Sequence, residues 1–450
     1  MKATARRIPI AVSIMATLAL SAGAAAAGKI ASDIHHTKIA GIQIYLDKTH
    51  VSEEIVLRGA LPAGDVFNPP GKSGIARLVA GMLDKGTAHE DKLALAKKLE
   101  SVGATLSFRS DAEMLNIEAR FLKADVALVI ALLAEELREP AFSTEELGKL
   151  KEQLKGDLAR RREDTGDRAD EAFRRAIYPE GHPNRPPSLD ELEKAVDAAT
   201  VEELRAFHGA HYGPEHLTLV FVGDIDPSAL ATALRQGFSG WKGENPLATG
   251  ALGGWVAGQR EIAVDIPGKT SVDVRFGQAV ELRYKDPDAL ALRMGAAILG
   301  GGFTGRLMAT VRDSEGLTYG IGAGINNDSF VAGDFAISAT FAPALLEKGI
   351  ASTRREFSRW YQDGVTDGEV VARKTDLIGT YQVSLASPSG LASAILTTLE
   401  RGYDLNWLDD YPDAINALTT SQVNAAIRKY LSPDRMKLVK AGTIPAASRN

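Results

Sequence analysis

The chain has 450 residues, more than one ordinary hydrophobic core organises, so we expect at least two domains. Its composition, 45% hydrophobic and 24% charged, is typical of a globular protein and not of a disordered one. A formal net charge of −6 argues against nucleic acid as the partner, and the absence of cysteine excludes disulfides, thiolate zinc sites and a cysteine nucleophile.

The start of the chain, residues 1–27, predicts a cleavable signal peptide. Basic residues precede an apolar run over residues 8–20, and Ala25-Ala26-Ala27 supplies the small residues of a cleavage site. The alternative is an uncleaved membrane anchor, but a span needs about 20 apolar residues and this run is shorter. We therefore expect an exported, periplasmic protein without a stable membrane anchor.

The first half of the remaining chain mixes strands and helices. Segments of strand length are apolar throughout or alternate apolar and polar residues, whereas longer segments repeat apolar residues at the helical period. The predicted strands cover residues 41–46, 55–61 and 114–121, and the predicted helices cover residues 92–102, 124–137 and 146–175. Strands that pair as hairpins, with helices grouped between them, favour an α+β fold.

The second half repeats landmarks of the first half, which indicates an internal duplication. Thr200 and Thr419 each begin a capping-box pattern ahead of a helix, and each helix is followed by a short apolar strand. These two threonines are 219 positions apart, and Ser143 and Thr366, which begin another pair of helices, are 223 positions apart. Landmarks at nearly constant spacing are typical of duplicated units.

The predicted domain organisation follows from this duplication. We expect two homologous lobes, each a mostly antiparallel sheet with helices packed on one face. The first lobe covers residues 28–242, and the second covers residues 255–450. Residues 243–254, GENPLATGALGG, have the composition of a linker between them.

A family resemblance is carried by four segments: MLDKGT at 82–87, EGHPNRPP at 180–187, HYGPEHLTLVFVGDID at 211–226 and GRLMATVRDSEGLTYG at 305–320. They resemble the pitrilysin or insulinase family of zinc peptidases, particularly its short, two-lobed members related to mitochondrial processing peptidase. The resemblance extends from about residue 39 to about residue 443. It implies two such lobes and a chamber that two homologous chains enclose.

In active members of this family, the helix before MLDKGT carries a His-x-x-Glu-His motif. The two histidines bind zinc with a distal glutamate, and the glutamate of the motif polarises the metal-bound water. Here Arg77 and Gly81 occupy the histidine positions, and Ala80 occupies that of the base. Asp157 falls near the expected distal ligand, but one carboxylate does not make a zinc site. The resemblance therefore implies a lobe that has lost the reaction and binds no metal.

The second half keeps a different part of the family's site. Active enclosures hold substrate near the scissile bond with an arginine and a tyrosine seven residues apart, and Arg312 and Tyr319 have this spacing. Gly316 separates them, so we expect Arg312 at a helix end, Tyr319 on the following strand, and both side chains in one cavity. Both groups can donate to a peptide carbonyl and stabilise a developing oxyanion. The alternative is that Arg312 pairs with Asp313 or Glu315 and that Tyr319 belongs to the core.

Two other patterns receive a structural interpretation. Residues 300–305 fit G-x-G-x-x-G, but a dinucleotide loop follows a strand and the segment before these residues has a helical period. We interpret the glycines as a turn that lets backbones approach closely.

His208 and His211, with His216 nearby, lack a carboxylate at a fixed spacing, and we predict that the first two serve packing.

The function predicted from these residues is that of a non-catalytic subunit. We expect the chain to pair with a homologous His-x-x-Glu-His subunit in a heterodimeric periplasmic zinc metallopeptidase that encloses and cleaves peptides. The partner would supply the zinc and the base, and this chain, with no cofactor of its own, would supply Arg312 and Tyr319 as a substrate clamp. The alternative is a peptide-binding or assembly scaffold with no peptidase role, for which the pair is dispensable.

Overall fold

The structure is a computed structural model that describes residues 29–50, 53–243, 254 and 256–445. The predicted signal peptide, residues 1–27, lies outside the described residues, and so do residues 244–253 of the predicted linker. No helix in the described part of the chain is long and apolar enough to cross a membrane.

In the described part of the first half, six strands form one sheet. They are β1 Ile34–Ile39, β2 Ile42–Lys48, β3 Glu54–Leu61, β4 Thr105–Ser110, β5 Leu115–Leu122 and β6 Thr218–Gly223. Their order is β1-β2-β6-β3-β5-β4, and every neighbouring pair is antiparallel except β2 with β6. The sheet is mostly antiparallel, as predicted.

In the second half, five strands of the described chain form another sheet. They are β7 Glu261–Asp265, β8 Val272–Ala279, β9 Thr318–Asn326, β10 Asp334–Phe341 and β11 Lys437–Gly442. Their order is β7-β11-β8-β10-β9, and only β7 with β11 is parallel. In both halves, the last strand pairs in parallel with a strand from the start of that half, which is the repetition expected of a duplication.

Helices connect these strands in both halves. Those of the first half are α1 Ile30–Asp33, α2 Ile75–Met82, α3 Lys92–Ser101, α4 Val126–Arg138, α5 Thr144–Glu163, α6 Thr165–Ile177, α7 Leu189–Ala198, α8 Val201–His211 and α9 Pro227–Phe238. Those of the second half are α10 Ala289–Gly300, α11 Leu346–Asp363, α12 Asp367–Leu385, α13 Pro388–Glu400, α14 Trp407–Ala417 and α15 Thr420–Tyr430. A π-helical segment, Met308–Ser314, lies just before β9.

The helix caps confirm the duplicated landmarks. Thr200 and Thr419 form capping boxes at the starts of α8 and α15. Ser143 accepts a hydrogen bond at the start of α5, and Thr366 forms a capping box at the start of α12. The same local chemistry therefore begins the same helices in each half.

One predicted helix, residues 146–175, is two helices, α5 and α6. Asp164 ends α5 with extended backbone, and its carboxylate accepts a hydrogen bond from the amide of Asp167 at 2.8 Å, which caps α6. The prediction of one helix was wrong because charged residues continue the helical period across the break. The other predicted strands and helices of the first half match observed elements to within two residues at each end.

The main core of each half lies on one face of its sheet. In the first half, α2, α4, α8 and α9 pack against the face that carries Leu57 and Phe221. In the second half, α10, α11 and α15 pack against the face that carries Phe335 and Ile337. This confirms the predicted packing of helices on one face for the helices of the same half.

The opposite face of each sheet is covered by a helix from the other half. On the first sheet, Val56 of β3 and Val220 of β6 contact α13, which contributes Ala392, Ile395 and Leu396. Residues of α13 belong to the second half in sequence, so the packing crosses the predicted boundary between the lobes. The exact boundaries, 28–242 and 255–450, stay a prediction.

The exchange is reciprocal, because α6 of the first half covers the second sheet. Phe173 and Ile177 of α6 pack with Ala279 of β8, Ala336 of β10 and Val439 of β11. The caps of α6 and α13 are 223 positions apart, at Asp164 and Ser387, so the exchanged helices are themselves duplicates. Each half therefore completes the fold of the other.

Polar contacts fix both exchanged helices on their sheets. Nη2 of Arg58, on β3, donates to Oγ of Ser389 on α13 at 2.9 Å. In the other half, Nε of Arg275, on β8, donates to Oδ1 of Asp170 on α6 at 2.6 Å. An arginine from each sheet thus reaches the helix supplied by the opposite half.

The segment after α6 is also fixed to the second half, through buried polar groups. The hydroxyl of Tyr178 donates to Oδ1 of Asp334 at 2.9 Å, and Nδ2 of Asn184 donates to the carbonyls of Asn327 and Ala332 at 2.8 and 3.1 Å. Burial raises the pKa of Asp334. Because a buried polar group is costly when unpaired, this network determines where the two halves meet.

Ile395→Ala tests the exchange of helices. Ile395 is fully buried between α13 and the first sheet, so its truncation should reduce the free energy of unfolding by about 2–5 kcal/mol, measured by urea denaturation. Amide hydrogen exchange should speed up in β3 and β6, although the substitution lies in the second half of the sequence.

Val383→Ala is the matched control, because Val383 is an exposed apolar residue of the neighbouring helix α12. Its free energy of unfolding should stay within about 0.5 kcal/mol of wild type. Faster exchange confined to the second sheet in Ile395→Ala would contradict the proposed dependence of one half on the other.

Candidate functional site

Helix α2, which carries the positions of the zinc motif, is held by a hydrogen bond in its first turn and by its buried residues, not by metal ligands. It begins after Gly74, whose φ is +88°, and Oδ1 of Asn68 accepts a hydrogen bond from the amide of Ala76 at 2.8 Å in its first turn. Leu78 and Val79 are fully buried in the first core. The buried face of α2 therefore fixes the helix independently of the face that carries residues 77, 80 and 81.

The three positions of the lost motif have other contacts. Nε and Nη2 of Arg77 lie 2.8 and 2.6 Å from Oδ2 of Asp65. Ala80 is buried, and a Cβ added at Gly81 would lie 3.0 Å from Cδ2 of Leu150 on α5. An ion pair thus engages position 77, and a leucine packs at position 81.

Asp157 lines the same cavity as Arg77, Ala80 and Gly81. Its carboxylate is paired with Arg160 one turn along α5. A guanidinium, a methyl group and a glycine offer no lone pair to a metal, so these residues do not fit a zinc ion. Within the described ranges, no group of three His, Cys, Asp or Glu side chains is arranged to hold a metal.

The cavity beside α2 has a volume of about 1700 Å³. Its walls come from α2, the edge strand β4, α5 and the segment after α6, and Asn327 and Ser329 of the second half close one side. The cavity is therefore a feature of both halves, and the lobe keeps a large space where its reaction has been lost.

Carboxyl groups from both halves meet near this cavity. Burial, followed by the charges of Asp111, Glu400 and Asp328, raises the pKa of Glu113 in the β4–β5 turn from 4.5 to about 8. Burial and the charge of Asp111 raise the pKa of Glu400, at the end of α13, to about 7. The junction therefore holds protons that exposed carboxyl groups would have lost at neutral pH.

The histidines of α8 serve packing, as predicted. Nε2 of His208 lies 2.8 Å from the carbonyl oxygen of Leu137, and its ring packs on Tyr212 with the centroids 4.6 Å apart. The ring of His211 lies 4.5 Å from that of Phe207. Burial lowers the pKa of both histidines.

The glycine-rich turn at residues 300–305 follows helix α10 and not a strand, which confirms the structural interpretation of this motif. A Cβ added at Gly300 would lie 2.3 Å from the backbone nitrogen of Ala323 on β9. Only glycine permits this approach between α10 and the sheet. Gly302 has a φ of +63°, which favours glycine for a second reason.

Arg312 and Tyr319 come together at the surface of the second half. Arg312 lies in the last turn of the π-helical segment, Gly316 turns the chain with a φ of +62°, and Tyr319 lies on β9, as predicted. Cζ of Arg312 is 5.2 Å from the centre of the Tyr319 ring. The two side chains are adjacent, but neither lines the cavity beside α2.

The contacts do not favour the alternative roles, in which Arg312 pairs with a neighbouring carboxylate and Tyr319 belongs to the core. Tyr319 is 89% exposed, so it is no core residue. Nη1 of Arg312 lies 3.9 Å from Oδ1 of Asp313, which is a long contact, and Glu315 pairs with Arg355 instead. The guanidinium and the phenol are therefore available to a ligand.

Phe303 is the site residue that the sequence reasoning missed. It is 76% exposed in the glycine-rich turn, and its ring centre lies 5.4 Å from Cζ of Arg312, on which Tyr319 also packs. A single large aromatic residue among glycines was the available signal. Phe303, Arg312 and Tyr319, here named the surface clamp, form an exposed aromatic–guanidinium–aromatic group.

Two family models match this chain. Residues 53–186 match the model described as insulinase (peptidase family M16), and residues 198–377 match the one described as the peptidase M16 inactive domain. Together these matches cover well over half of the sequence. Both halves of the duplication are therefore matched within one family.

Relatives match over most of their length. An uncharacterised zinc protease of Rickettsia bellii is 24% identical over 325 residues, covering 71% of this chain and 76% of that protein. The non-peptidase homolog YmxG of Helicobacter pylori is 21% identical over 418 residues, covering 90% of this chain and 93% of that protein.

Solved structures share the two-lobed fold. A peptidase M16 inactive domain from Pseudomonas fluorescens superposes with a TM-score of 0.83 at 25% identity, covering 92% of this chain and 98% of that one. The periplasmic protease PqqL of Escherichia coli superposes with a TM-score of 0.75 at 14% identity, covering 92% of this chain and 46% of that one. At 14% identity, the similarity between this chain and PqqL is one of fold alone.

The contacts around α2 predict that restoring the motif residues does not restore a zinc site. The triple variant Arg77→His, Ala80→Glu, Gly81→His should hold no stoichiometric zinc after dialysis, measured by elemental analysis, because Leu150 crowds position 81 and Arg160 engages Asp157. Adding Leu150→Ala and Asp157→Glu to the triple variant is the matched comparison and should increase its zinc affinity. One tightly held zinc per chain in the triple variant would contradict this account.

The raised pKa of Glu113 predicts a pH dependence of stability. The folded protein keeps this proton up to about pH 8, whereas the unfolded chain releases it near 4.5, so the free energy of unfolding falls as the pH rises between these values. Glu113→Gln should therefore stabilise the protein by about 1–3 kcal/mol at pH 9 and have little effect at pH 4.

Urea denaturation at both pH values measures this difference. Glu347→Gln, at an exposed position of α11, is the control and should show the same small change at pH 4 and pH 9. An equal effect of Glu113→Gln at the two pH values would rule out a proton held at the junction.

Proposed function

Because the chain belongs to the insulinase family of peptidases, family M16, as a member that lacks the His-x-x-Glu-His motif, we propose that it is the non-catalytic, substrate-clamping subunit of a heterodimeric zinc metallopeptidase. Its partner is a homologous chain that carries the intact motif. The two chains face each other and enclose a peptide, which neither cleaves alone.

The surface clamp is the observation that carries this proposal. Large aromatic side chains such as Phe303 and Tyr319 are usually covered when they have no ligand or partner, and here they flank a guanidinium in solvent. Arg312 and Tyr319 both donate hydrogen bonds. Such donors suit the carbonyl oxygen of a peptide bond, which gains negative charge when water attacks the carbon.

In the proposed complex, one chain activates water and the other holds the substrate carbonyl, because the first half of this chain lacks the residues for activation. Arg77, Ala80 and Gly81 offer no ligands and no base, so this chain does not activate water through them. The partner's metal would supply the activated water, and this chain's own residues would hold the carbonyl and stabilise its charge. The clamp is useful only where a second chain brings a reacting centre to it.

We further propose that the protein is exported to the periplasm and has no stable membrane anchor. The basic and apolar segment at residues 1–27 supports export, and the periplasmic location in the name of PqqL, a structural neighbour, agrees with it.

The formal net charge of −6 supports a peptide and not a nucleic acid as the ligand.

A second candidate function is a peptide-binding or assembly scaffold with no peptidase role. The name of the Helicobacter pylori relative, a non-peptidase homolog, favours it. The two candidates differ in what they require of the surface clamp, because a scaffold without a catalytic partner has no developing oxyanion to stabilise.

Arg312→Ala and Tyr319→Phe separate the two candidates in the complex with the motif-bearing partner. Each should lower the turnover number by about 10²- to 10³-fold, the loss expected for one oxyanion donor, while the partner keeps its zinc. The loss should fall on kcat if the contact strengthens in the transition state, and on KM if it only positions the substrate.

Arg359→Ala, at another exposed arginine of the second half, is the matched control and should leave both constants unchanged. Assembly should be followed by size-exclusion chromatography. Wild-type kinetics in both clamp variants would favour the scaffold, and loss of the heterodimer would assign the pair a structural role.

A further inference from the structure

A second, smaller cavity lies in the second half, on the side of β9 that faces α10. Its volume is about 250 Å³, and α10, β9, α12 and α14 form its walls. Most of the wall is apolar, including Leu290, Met294, Ile325, Leu377 and Ile415. This volume is below that of pockets for whole small molecules and suits one large side chain.

The cavity occupies the position in the second half that the cavity beside α2 occupies in the first. Helix α12 is the duplicate of α5, and β9 and β4 are the outermost strands of their sheets. The larger space is lined by many charged and polar side chains as well as apolar ones, whereas the wall of the smaller one is mostly apolar. The two halves have therefore kept equivalent cavities with different chemistry.

Three polar side chains stand in this apolar wall: Tyr284, Arg293 and Tyr411. Arg293 is ion-paired with buried Asp328, its Nη1 donates to the carbonyl of Ile325 at 3.3 Å, and its Cζ lies 4.4 Å from the Tyr284 ring. Its Nε is buried and has no hydrogen-bond partner among the described residues. The other contacts of Arg293 hold its side chain in the wall, so they fix the polar part of the cavity in place.

The cavity is connected to the surface clamp through two elements. Ala323 and Ile325 on β9 line the cavity. They follow Tyr319 by four and six residues, so they lie about 13–20 Å from it along the strand. Its wall includes Gly301, whose carbonyl accepts a hydrogen bond from Nη2 of Arg373 at 2.9 Å, and the same turn carries Phe303. A peptide held at the clamp and extended along β9 would pass the mouth of the cavity.

From these features we propose that the cavity is a specificity pocket for one large aromatic side chain of the peptide, tyrosine in preference. The ring would fill the apolar space, and its hydroxyl would lie against the polar residues of the wall, Tyr284, Arg293 and Tyr411. A charged side chain of either sign would lose its hydration in this mostly apolar space, and Arg293 already has Asp328 as its counter-ion. The place of the pocket beside a substrate rests on the proposed function, whereas binding of the side chain is measurable on this chain alone.

The test uses the purified chain without its partner and four labelled ten-residue peptides of alanine and serine that differ at one central position. That position is tyrosine, phenylalanine, alanine or glutamate, and binding is followed by fluorescence anisotropy. The tyrosine peptide should bind at least about tenfold more tightly than the alanine and glutamate peptides, with phenylalanine between them. Equal affinities for tyrosine and alanine would overturn the pocket.

A filled pocket is the second part of the test. Ala297→Leu adds bulk to the wall and should reduce the affinity for the tyrosine peptide to that for alanine, whereas Ala372→Leu, on an exposed part of α12, should not. If Ala297→Leu lowers the melting temperature, Leu377→Trp replaces it as the filled variant, because Leu377 lies on another wall of the pocket. Unchanged tyrosine binding in a folded, filled variant would also overturn the proposal.

Failure of this inference is distinguishable from failure of the proposed function. If the tyrosine peptide binds selectively and the clamp variants cleave normally in the heterodimer, the pocket stands and the clamp role falls. If the clamp variants lose turnover while all four peptides bind alike, the clamp role stands and the pocket falls.

Discussion

The reciprocal packing of α6 and α13 is the contact on which the rest of the structure depends. Strands β3, β6 and β11 are buried on both faces, and the helices of their own half cover only one face. Without the exchanged helices, apolar residues such as Val56, Val220 and Val439 would be exposed, so each half needs the helix of the other. The same exchange brings the segment after α6 and the β9–β10 turn together at the cavity beside α2.

The separation of scaffold from chemistry explains how the first half lost its reaction and kept its fold. Leu78 and Val79 of α2 point into the core, whereas residues 77, 80 and 81 border the cavity. On the cavity side, Arg77 is ion-paired with Asp65, and Leu150 packs at Gly81. The chemistry of that face therefore changed while the helix stayed in place.

The second half concentrates its unusual features on β9 and the turn before the π-helical segment. The close approach of Gly300 to Ala323 places the turn beside the strand, and this puts Phe303 and Tyr319 on either side of Arg312. Arg293 and Asp328 lie beside the same strand, under the smaller cavity. The exposed clamp and the apolar cavity therefore share β9 and the glycine-rich turn.

Much of this protein follows from its sequence, because the relevant signals are local. Caps such as Thr200 and Thr419, the period of apolar residues, and the non-ligands at 77, 80 and 81 are read from neighbouring residues, and they determine the elements, the duplication and the lost motif. Tertiary structure alone decided that Asp164 breaks a helix to send α6 across to the second sheet, and that Phe303 joins Arg312 and Tyr319. The position of α6 depends on surfaces of the second sheet that exist only after both halves have folded together, and the position of Phe303 depends on the close approach of Gly300 to Ala323 in the folded second half.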